Sequence, residues 1–343
     1  MSDTSFYQDG FMDLTGYSLE RAALDEKWDA LVESSPQGTL FSTSLFLSCL
    51  QKNKPGTWYC KKNNQIVAGL VVSESPDGLD SVADDLIIYG GLLFKPKLKE
   101  QSDAQSISEK FRISAFIAEE LEAVYQKIFL SMSPNIDDLR PFLWHNWDKS
   151  GSKWNFDLRY TSVHDLSKLD PNGPIDTNPV YLGASKSRRQ QIRYGIKKRV
   201  VGEKSSDVKR FLELYKMTFD RQNEPQAGLM ENALGITINK ILDNGMGEMY
   251  FSSAADGRLG SAAVFGWDNK RAYYLYGAND PSCRNEHTGS MVLWYAILDL
   301  ASREIKSVDM EGINSPLRGH FKLSFGGNIV PYYHLSLKGL SNK

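Results

Sequence analysis

Residues 273–305 read YYLYGANDPSCRNEHTGSMVLWYAILDLASREI, and this stretch decides the fold of the second half of the chain. Its pattern predicts a strand that ends near Ala278, a polar loop over 279–288 and an apolar helix over 289–303. Gly289 stands where the first helical N–H groups lack partners and the helix dipole is positive. Such a strand–loop–helix is typical of an anion site, although an ordinary helix with Thr288 as its N-cap is the simpler interpretation.

The elements on either side of this stretch repeat a similar order in both halves. In the second half we predict strands over 248–254, 259–267, 271–278 and 307–311 and a helix over 208–222. In the first half we predict helices over 19–32, 41–50 and 108–126 and strands over 57–61, 65–73, 86–94 and 127–132. Antiparallel strands that lead into one helix and a returning strand indicate a mixed α/β fold.

The two halves read as a degenerate internal duplication. Residues 66–72 (IVAGLVV) correspond to 259–265 (LGSAAVF), and residues 88–91 (IYGG) correspond to 275–278 (LYGA). The segment 170–179 contains three prolines and a glycine, which predicts a linker. We therefore predict two domains, 1–170 and 171–343, each with a mixed, mainly antiparallel sheet flanked by helices.

Composition and charge narrow the class of protein. The 343 residues are 41% hydrophobic and 24% charged, as in soluble globular proteins. Cys49, Cys60 and Cys283 are too scattered for a disulfide framework or a zinc site, and we expect no signal peptide, no membrane span and a cytoplasmic location. Residues 1–170 carry a net charge of −8 and residues 171–343 a net charge of +6. The asymmetry favours an anionic ligand on the second half, although surface charge also drifts by chance.

A basic segment opens the second half. Residues 186–199 (KSRRQQIRYGIKKR) hold seven cations and no acid. Three interpretations of such a basic helix are open: its charges face solvent, it binds the phosphate of a nucleotide ligand, or it contacts nucleic acid. The near-neutral isoelectric point of 6.3 argues against a broad nucleic-acid surface.

Candidate acid–base residues lie in residues 309–327, which read DMEGINSPLRGHFKLSFGG. Asp309 and Glu311 alternate at the end of a predicted strand and should therefore point to the same face. His320 and Lys322 follow closely. A carboxylate or an imidazole here could take a proton from an attacking amine, although each residue also has an ordinary structural interpretation.

Taken together, these motifs resemble FemAB-type proteins of the GNAT acyltransferase superfamily. The resemblance rests on RRQQIR at 188–193, LYGA at 275–278, TGS at 288–290 and FKLSFGG at 321–327, with residues 28–46, YGG at 89–91 and LRPFLWH at 139–145 in the first half. It implies tandem GNAT-like domains and transfer of an acyl group to an amine. It also implies that the loop and helix start after the fourth strand hold the donor's pyrophosphate. The usual pattern there is Arg/Gln-x-x-Gly-x-Gly/Ala, and RNEHTGS at 284–290 is a loosened form with one glycine.

The resemblance allows two kinds of donor. FemAB relatives that use aminoacyl-tRNA carry a helical hairpin arm, and we find no long heptad pair in this sequence. We therefore expect an acyl-CoA, such as acetyl-CoA, as co-substrate, with no permanently bound cofactor and no metal. Relatives without the arm resemble enzymes of cell-surface polysaccharide pathways, so the expected acceptor is an amino group of a nucleotide-linked amino sugar. Peptidoglycan-type aminoacyl transfer from tRNA and a non-catalytic binding module stay open as alternatives.

The resemblance also implies catalytic, donor-binding and acceptor-binding roles for particular residues. In a GNAT-like sheet the strand that carries Gly277 separates from the next strand, and the substrates meet in the gap. The catalytic candidates are Glu311 first, then His320 and Asp309. The donor-binding candidates are Tyr276, Gly277, Ala278, Arg284, Thr288, Gly289 and Ser290, and the acceptor-binding candidates are Arg140, His145, Arg188, Arg189, Asn314, Arg318 and Lys322. We expect the first domain to serve a small-molecule acceptor and the second to serve the donor, with no nucleic-acid partner and with a homodimer left open.

Overall fold

The computed structural model describes residues 13–220 and 227–338 and divides into two compact units. The second unit is Arg159–Pro331, and the first comprises the described residues on either side of it. The boundary predicted after residue 170 therefore falls inside the second unit. No helix in the described part of the chain is both long and apolar enough to cross a membrane.

The first unit contains a sheet, a long helix and several short helices. Its elements are β1 (Tyr17–Arg21), α1 (Glu26–Ser34), α2 (Ser44–Leu47), β2 (Lys54–Lys62), β3 (Gln65–Glu74), β4 (Ser81–Val82), β5 (Gly91–Phe94), α3 (Asp103–Val124), β6 (Lys127–Ser131), α4 (Arg140–Leu143) and the start of β7 (Asn155–Asp165). β1, β2 and β3 are antiparallel neighbours, and β5 pairs with β3. The helix α3 packs its apolar residues, among them Ile117 and Leu121, into the core of this unit.

Tertiary pairing overrides the helix predicted over 19–32, which is wrong in its first part. Residues 17–21 instead form β1, in register with β2. The helix α1 begins only after Asp25, whose side-chain oxygen accepts a hydrogen bond from the N–H of Trp28 at 2.9 Å. An aspartate in this role is a favoured helix N-cap, and the cap therefore separates the strand from the helix.

The second unit follows with a sheet that is covered by helices. Its elements are α5 (Pro179–Gly183), α6 (Lys186–Lys197), β8 (Val201–Lys204), α7 (Val208–Asp220), α8 (Ala227–Asp243), β9 (Gly247–Ser253), β10 (Leu259–Trp267), β11 (Ala272–Asn279), α9 (Thr288–Ser302), β12 (Ser307–Asp309), α10 (Pro316–Leu323) and the start of β13 (Asn328–Lys338). β8, β9, β10 and β11 are antiparallel neighbours, β12 is parallel to β11, and the end of β7 pairs with β12. The predicted fold class, mixed and mainly antiparallel sheets flanked by helices, is confirmed.

The strand β10 shows how this sheet is buried on both faces. Ala263 and Phe265 pack in a cluster with residues of α6 and α9, whereas Ala262 and Val264 pack with residues of α7 and α8. Successive side chains of a strand point to opposite faces, so alternate residues meet different helices. This arrangement explains why β10 is almost uninterruptedly apolar.

Candidate active site

The strands β11 and β12 separate soon after they pair. They are neighbours at two residue pairs only, Ala272 with Val308 and Tyr273 with Asp309. β11 continues to Asn279, whereas β12 ends at Asp309. Beyond Tyr273, this edge of β11, which we call the open edge, therefore has no strand partner in the described part of the chain. The separation is the one expected beside Gly277.

A β-bulge interrupts the pairing of β11 with β10, just beyond the two residues of β11 that pair with β12. Val264 of β10 pairs with Tyr276, but the next residue of β10 pairs with Tyr274, so Leu275 is the extra residue. A bulge bends its strand and re-aims the side chains that follow. Tyr276 and Gly277 lie just beyond it and are partly exposed, whereas Ala278 is buried.

The side chain of Tyr274 extends along β11 and packs against Gly277. The Tyr274 hydroxyl occupies the space beside the Gly277 backbone. Burial raises the pKa of Tyr274, and nearby negative charge, including that of Glu311, acts in the same direction. The hydroxyl is therefore a protonated donor next to the backbone expected to contact the thioester.

Glu311 follows the end of β12 and is 6% exposed, and its Oε1 atom has no hydrogen-bond partner. Its backbone is left-handed, with φ +54, a conformation that is uncommon for a residue with a side chain. Asp309 helps to hold this turn, because its carboxylate accepts hydrogen bonds from the N–H of Glu311 at 2.8 Å and from the Thr161 hydroxyl. Burial raises the pKa of Glu311 well above its ordinary value, against the lowering effect of Lys322. A carboxyl group tuned in this direction suits proton transfer near neutral pH.

Lys322, in α10, completes a group that we call the buried cluster: Tyr274, Glu311 and Lys322. The Lys322 ammonium lies 5.2 Å from the centre of the Tyr274 ring and donates to the Gly312 carbonyl at 3.5 Å. Burial lowers the pKa of Lys322, and the negative charge of Glu311 opposes this effect. The charge of Glu311 thus raises the pKa of both Tyr274 and Lys322 at the place where β11 and β12 separate.

The other candidates between β12 and the end of α10 lie outside this cluster. His320 and Arg318 are exposed on α10. Asn314 is exposed and bonded to the backbone of Tyr160, accepting from its N–H at 2.7 Å and donating to its carbonyl at 3.1 Å. The roles predicted for these three residues stay predictions.

The two acceptor candidates of the first unit are engaged with acidic partners. The Arg140 guanidinium donates to both carboxylate oxygens of Asp138, at 2.8 and 2.7 Å. The Nε2 atom of His145 lies 3.0 Å from a carboxylate oxygen of Glu122, and its ring packs edge-on against Trp154. These pairs fix the orientation of both side chains within the first unit.

The start of α9 has no side-chain cap. His287 is the N-cap, in a left-handed conformation with φ +65, and its side chain accepts no bond from the helix. The simpler interpretation, with Thr288 as N-cap, is therefore wrong, and the Thr288 hydroxyl instead lies 2.9 Å from the Ser261 hydroxyl. The Ser290 side chain is also buried. The backbone near Gly289 is therefore the part of this helix start that we consider for an anion.

The basic helix α6 uses its two candidate arginines inside the second unit. Arg188 is 7% exposed, donates to the Ser324 hydroxyl at 2.9 Å and to the Ser290 hydroxyl, and lies over the rings of Phe321 and Phe325. Burial lowers the pKa of Arg188 to about 10. Arg189 donates to two backbone carbonyls at the end of α5, at 2.9 and 3.0 Å. Arg284, by contrast, is exposed in the 3₁₀ turn Pro281–Glu286.

Sequence reasoning missed Tyr274, which the structure places at the centre of the site. The residue stands in an aromatic run, YYLY at 273–276, that is equally compatible with a buried strand. The bulge at Leu275 and the missing side chain of Gly277 together decide where the Tyr274 hydroxyl lies. A tyrosine three residues before a glycine on this strand is the signal that could have indicated it.

A family comparison covers this region of the chain. Residues 185–322 match the family model of the acetyltransferase (GNAT) domain. The match runs from just before α6 to the end of α10 and includes all three residues of the buried cluster. No curated protein sequence matches the chain.

Solved structures show the same fold. FemX is similar with a TM-score of 0.65 and 13% identity, over 92% of this chain and 96% of that chain. A conserved protein of unknown function from Bacteroides thetaiotaomicron VPI-5482 gives 0.57 and 9%, over 93% and 99%. A tandem GNAT protein from the clavulanic acid biosynthesis pathway, in a structure without AcCoA, gives 0.54 and 11%, over 95% and 100%. At these identities the likeness shows the fold, and the resemblance to FemAB-type proteins with tandem GNAT-like domains is confirmed at that level.

Proposed function

The chain carries a GNAT domain at residues 185–322 and has the fold of FemX, and from this premise we propose that it is an N-acyltransferase that uses an acyl-CoA donor. The observation that carries the proposal is the buried, unpartnered Oε1 atom of Glu311, at the end of the strand that leaves β11. A buried carboxyl oxygen without a hydrogen bond is costly to stability, so it calls for a functional explanation. A base for an amine that enters the gap is such an explanation.

In this proposal the donor's pyrophosphate binds at the uncapped start of α9, near Gly289. The thioester then lies along the open edge of β11, where backbone N–H groups around Gly277 stabilise the oxyanion. The acceptor amine attacks the carbonyl carbon, a C–N bond forms and the C–S bond breaks. Glu311 accepts the proton that the amine loses, and the Tyr274 hydroxyl is placed to protonate the departing thiolate.

The acceptor that we propose is a nucleotide-linked amino sugar. This choice extends the resemblance to armless FemAB-type enzymes. Within the second unit, the Lys322 charge opposes the rise in the pKa of Glu311, which favours the ionised carboxylate that accepts the proton of the amine.

A second candidate is aminoacyl transfer from tRNA, which the fold likeness to FemX favours. The packing of α7 and α8 supports acyl-CoA instead. Phe211 and Leu214 of α7 and Leu234 and Ile238 of α8 are buried in one cluster with residues of β9 and β10. In the described part of the chain, both helices therefore cover the sheet of the second unit instead of forming a separate helical arm.

The experiment that tests the proposal compares donors on the purified protein. Coenzyme A and acetyl-CoA should raise the melting temperature, since a ligand that binds only the folded state stabilises it by about 2.7 kcal/mol at a concentration of 100 times its Kd. Acetyl-CoA with nucleotide-linked amino sugars should release free thiol. Transfer from charged tRNA alone would support the second candidate. Absence of transfer from either donor, with ligand binding retained, would leave a non-catalytic binding module.

A further inference from the structure

Arg188 is a buried cation that joins the starts of two helices within the second unit. It is 7% exposed and belongs to the first turn of α6. Its Nη1 atom donates to the hydroxyl of Ser290, in the first turn of α9, and to the Oε1 atom of Gln191 at 2.7 Å. Because the dipole of a helix is positive at its start, both helices add positive potential where the guanidinium already lies.

The partners of this buried cation are all uncharged. Its Nε atom donates to the Ser324 hydroxyl at 2.9 Å, and the guanidinium lies 4.4 and 4.5 Å from the ring centres of Phe321 and Phe325. No carboxylate in the described part of the chain forms an ion pair with Arg188, and its Nη2 atom has no hydrogen-bond partner there. An ion that is buried without a counter-charge destabilises the folded state, so this cation calls for an anion that the described residues do not supply.

The charge of Arg188 also acts on His287, the N-cap of α9. Burial lowers the pKa of His287, and the positive charges of Lys198 and Arg188 act in the same direction. The negative charge of Glu286 acts against them. Positive charge therefore reaches this helix start from α6, and no side chain caps the helix there. An anion at the start of α9 is attracted by the guanidinium and by both helix dipoles.

We propose that Arg188 is a positioning residue for the donor, and that the pyrophosphate of coenzyme A supplies the negative charge that balances it. The inference rests on the proposed function, which assigns that pyrophosphate to the helix start near Gly289. The guanidinium holds the first turn of α9 through its bond to Ser290 and attracts the ligand by its charge. Arg188, to which the resemblance gives an acceptor-binding role, thus serves the donor instead.

Calorimetry tests the inference with coenzyme A and 3′-dephospho-coenzyme A on the wild type, R188Q and R188K. We expect R188Q to bind coenzyme A about 10- to 100-fold more weakly, the range for hydrogen bonds to charged groups. The same loss should appear with the dephosphorylated ligand, since both ligands contain the pyrophosphate. R188K keeps the charge and should bind both ligands more tightly than R188Q does.

Urea denaturation of the ligand-free proteins separates this role from a merely structural one. R188K loses the forked bonds of the guanidinium and keeps a buried charge, so we expect it to be no more stable than R188Q. The affinity for coenzyme A should therefore follow the charge at position 188 and not the stability of the fold. A structural role would instead lower affinity and stability together.

Lys186→Gln is the matched control, because Lys186 is an exposed cation in the first turn of the same helix. This variant should keep the wild-type affinities. Wild-type affinity in R188Q, or equal affinities in R188Q and R188K, would overturn the inference and leave the proposed function intact. A loss in R188Q with coenzyme A alone would assign Arg188 to the 3′-phosphate and would also overturn it. If the wild type binds neither ligand, the inference and the proposed function both fail.

Discussion

The hydroxyl oxygen of Tyr274 occupies the point where a β-carbon at position 277 would stand. Gly277 is therefore the residue type that lets the Tyr274 hydroxyl reach the open edge of β11. For the same reason, even the methyl group of an alanine at position 277 would collide with the Tyr274 hydroxyl.

Gly277→Ala should force Tyr274 to move, which costs about 1–3 kcal/mol in the free energy of unfolding, as overpacking usually does. Acyl transfer should fall as well, because the displaced side chain distorts the edge that holds the thioester. Urea denaturation and a thiol-release assay measure the two effects.

Tyr274→Phe should suppress the loss of stability caused by Gly277→Ala. Removing the hydroxyl leaves the ring Cζ atom as the nearest Tyr274 contact, at 3.0 Å from the added carbon, so Gly277→Ala/Tyr274→Phe should regain stability. If Gly277→Ala alone is as stable and as active as the wild type, the packing of these two residues does not matter to the site.

Glu311→Gln should lower acyl transfer by about 10²–10⁴-fold, the usual contribution of a general base. The amide has nearly the same shape but cannot accept the proton of the amine. Rates should be measured from pH 6 to 9, with His320→Asn as a parallel variant.

Glu304→Gln is the matched control for Glu311→Gln. Glu304 also has a left-handed backbone, with φ +63, but it is exposed. We expect it to keep wild-type turnover. Full turnover in Glu311→Gln with an unchanged pH profile would rule out this carboxyl as the base.

Lys322→Met should move the acidic limb of the kcat/KM profile to higher pH. The Lys322 charge lowers the pKa of Glu311, so its loss lets that pKa rise. The base is then protonated over a wider range of acid pH. An acidic limb that stays in place, or moves to lower pH, would show that Glu311 does not control it.

Gly289→Glu should abolish coenzyme A binding, because it brings a negative charge to the helix start that we assign to the pyrophosphate. Gly289→Ala adds a side chain without a charge, so it distinguishes the effect of charge from the effect of volume. Its β-carbon would lie 2.9 Å from the Asn279 side-chain oxygen, so this exposed amide must shift by a few tenths of an ångström against its hydrogen bond from Ser261. Calorimetry should therefore show near-normal binding for alanine, and equal affinities in all three proteins would mean that the phosphate lies elsewhere.

His164 should make stability depend on pH. It lies in β7, is 3% exposed, and burial lowers its pKa to about 4. The unfolded residue titrates near pH 6.5, so protonation favours unfolding as the pH falls below that value. The free energy of unfolding should decrease by about 3 kcal/mol in all as the pH falls from above 6.5 to below 4.

Urea denaturation at several pH values checks this, with His164→Gln as the variant that should lose the dependence. His320→Gln removes an exposed histidine from the same unit and should keep it. Identical pH dependence in wild type and His164→Gln would contradict the prediction.

The local sequence pattern predicts the central strands and helices of the second unit well, but it misses strands that pair with distant parts of the chain. The strand predicted over 259–267 has the bounds of β10, and the helix predicted over 289–303 differs from α9 by one residue at each end. Both are strongly apolar, so burial and period agree. The sequence pattern does not predict β7 and β13, because they mix polar and apolar residues without strict alternation and pair with strands that are distant in sequence.

The site is predictable in composition but not in geometry. Glu311 stands out as an acid near a strand end, yet the argument that it shares a face with Asp309 assumed an extended strand. β12 ends at Asp309 and Glu311 is left-handed, so the turn, and not the strand period, buries its side chain. Likewise, the run of basic residues in α6 predicts a charged helix, whereas only packing shows that Arg188 faces inward and Lys197 outward.

The last described strand sets the order in which the two units can mature during translation. Leu335 and Leu337 of β13 are 0% and 1% exposed in the core of the first unit, and β13 pairs there with β6. The ribosome makes these leucines after every residue of the second unit. The second unit can therefore fold while the first still waits for its final strand, with one edge of β6 unpaired and prone to aggregation. A nascent chain that stops at Pro331 holds the complete sequence of the later-made unit and an unfinished version of the earlier one.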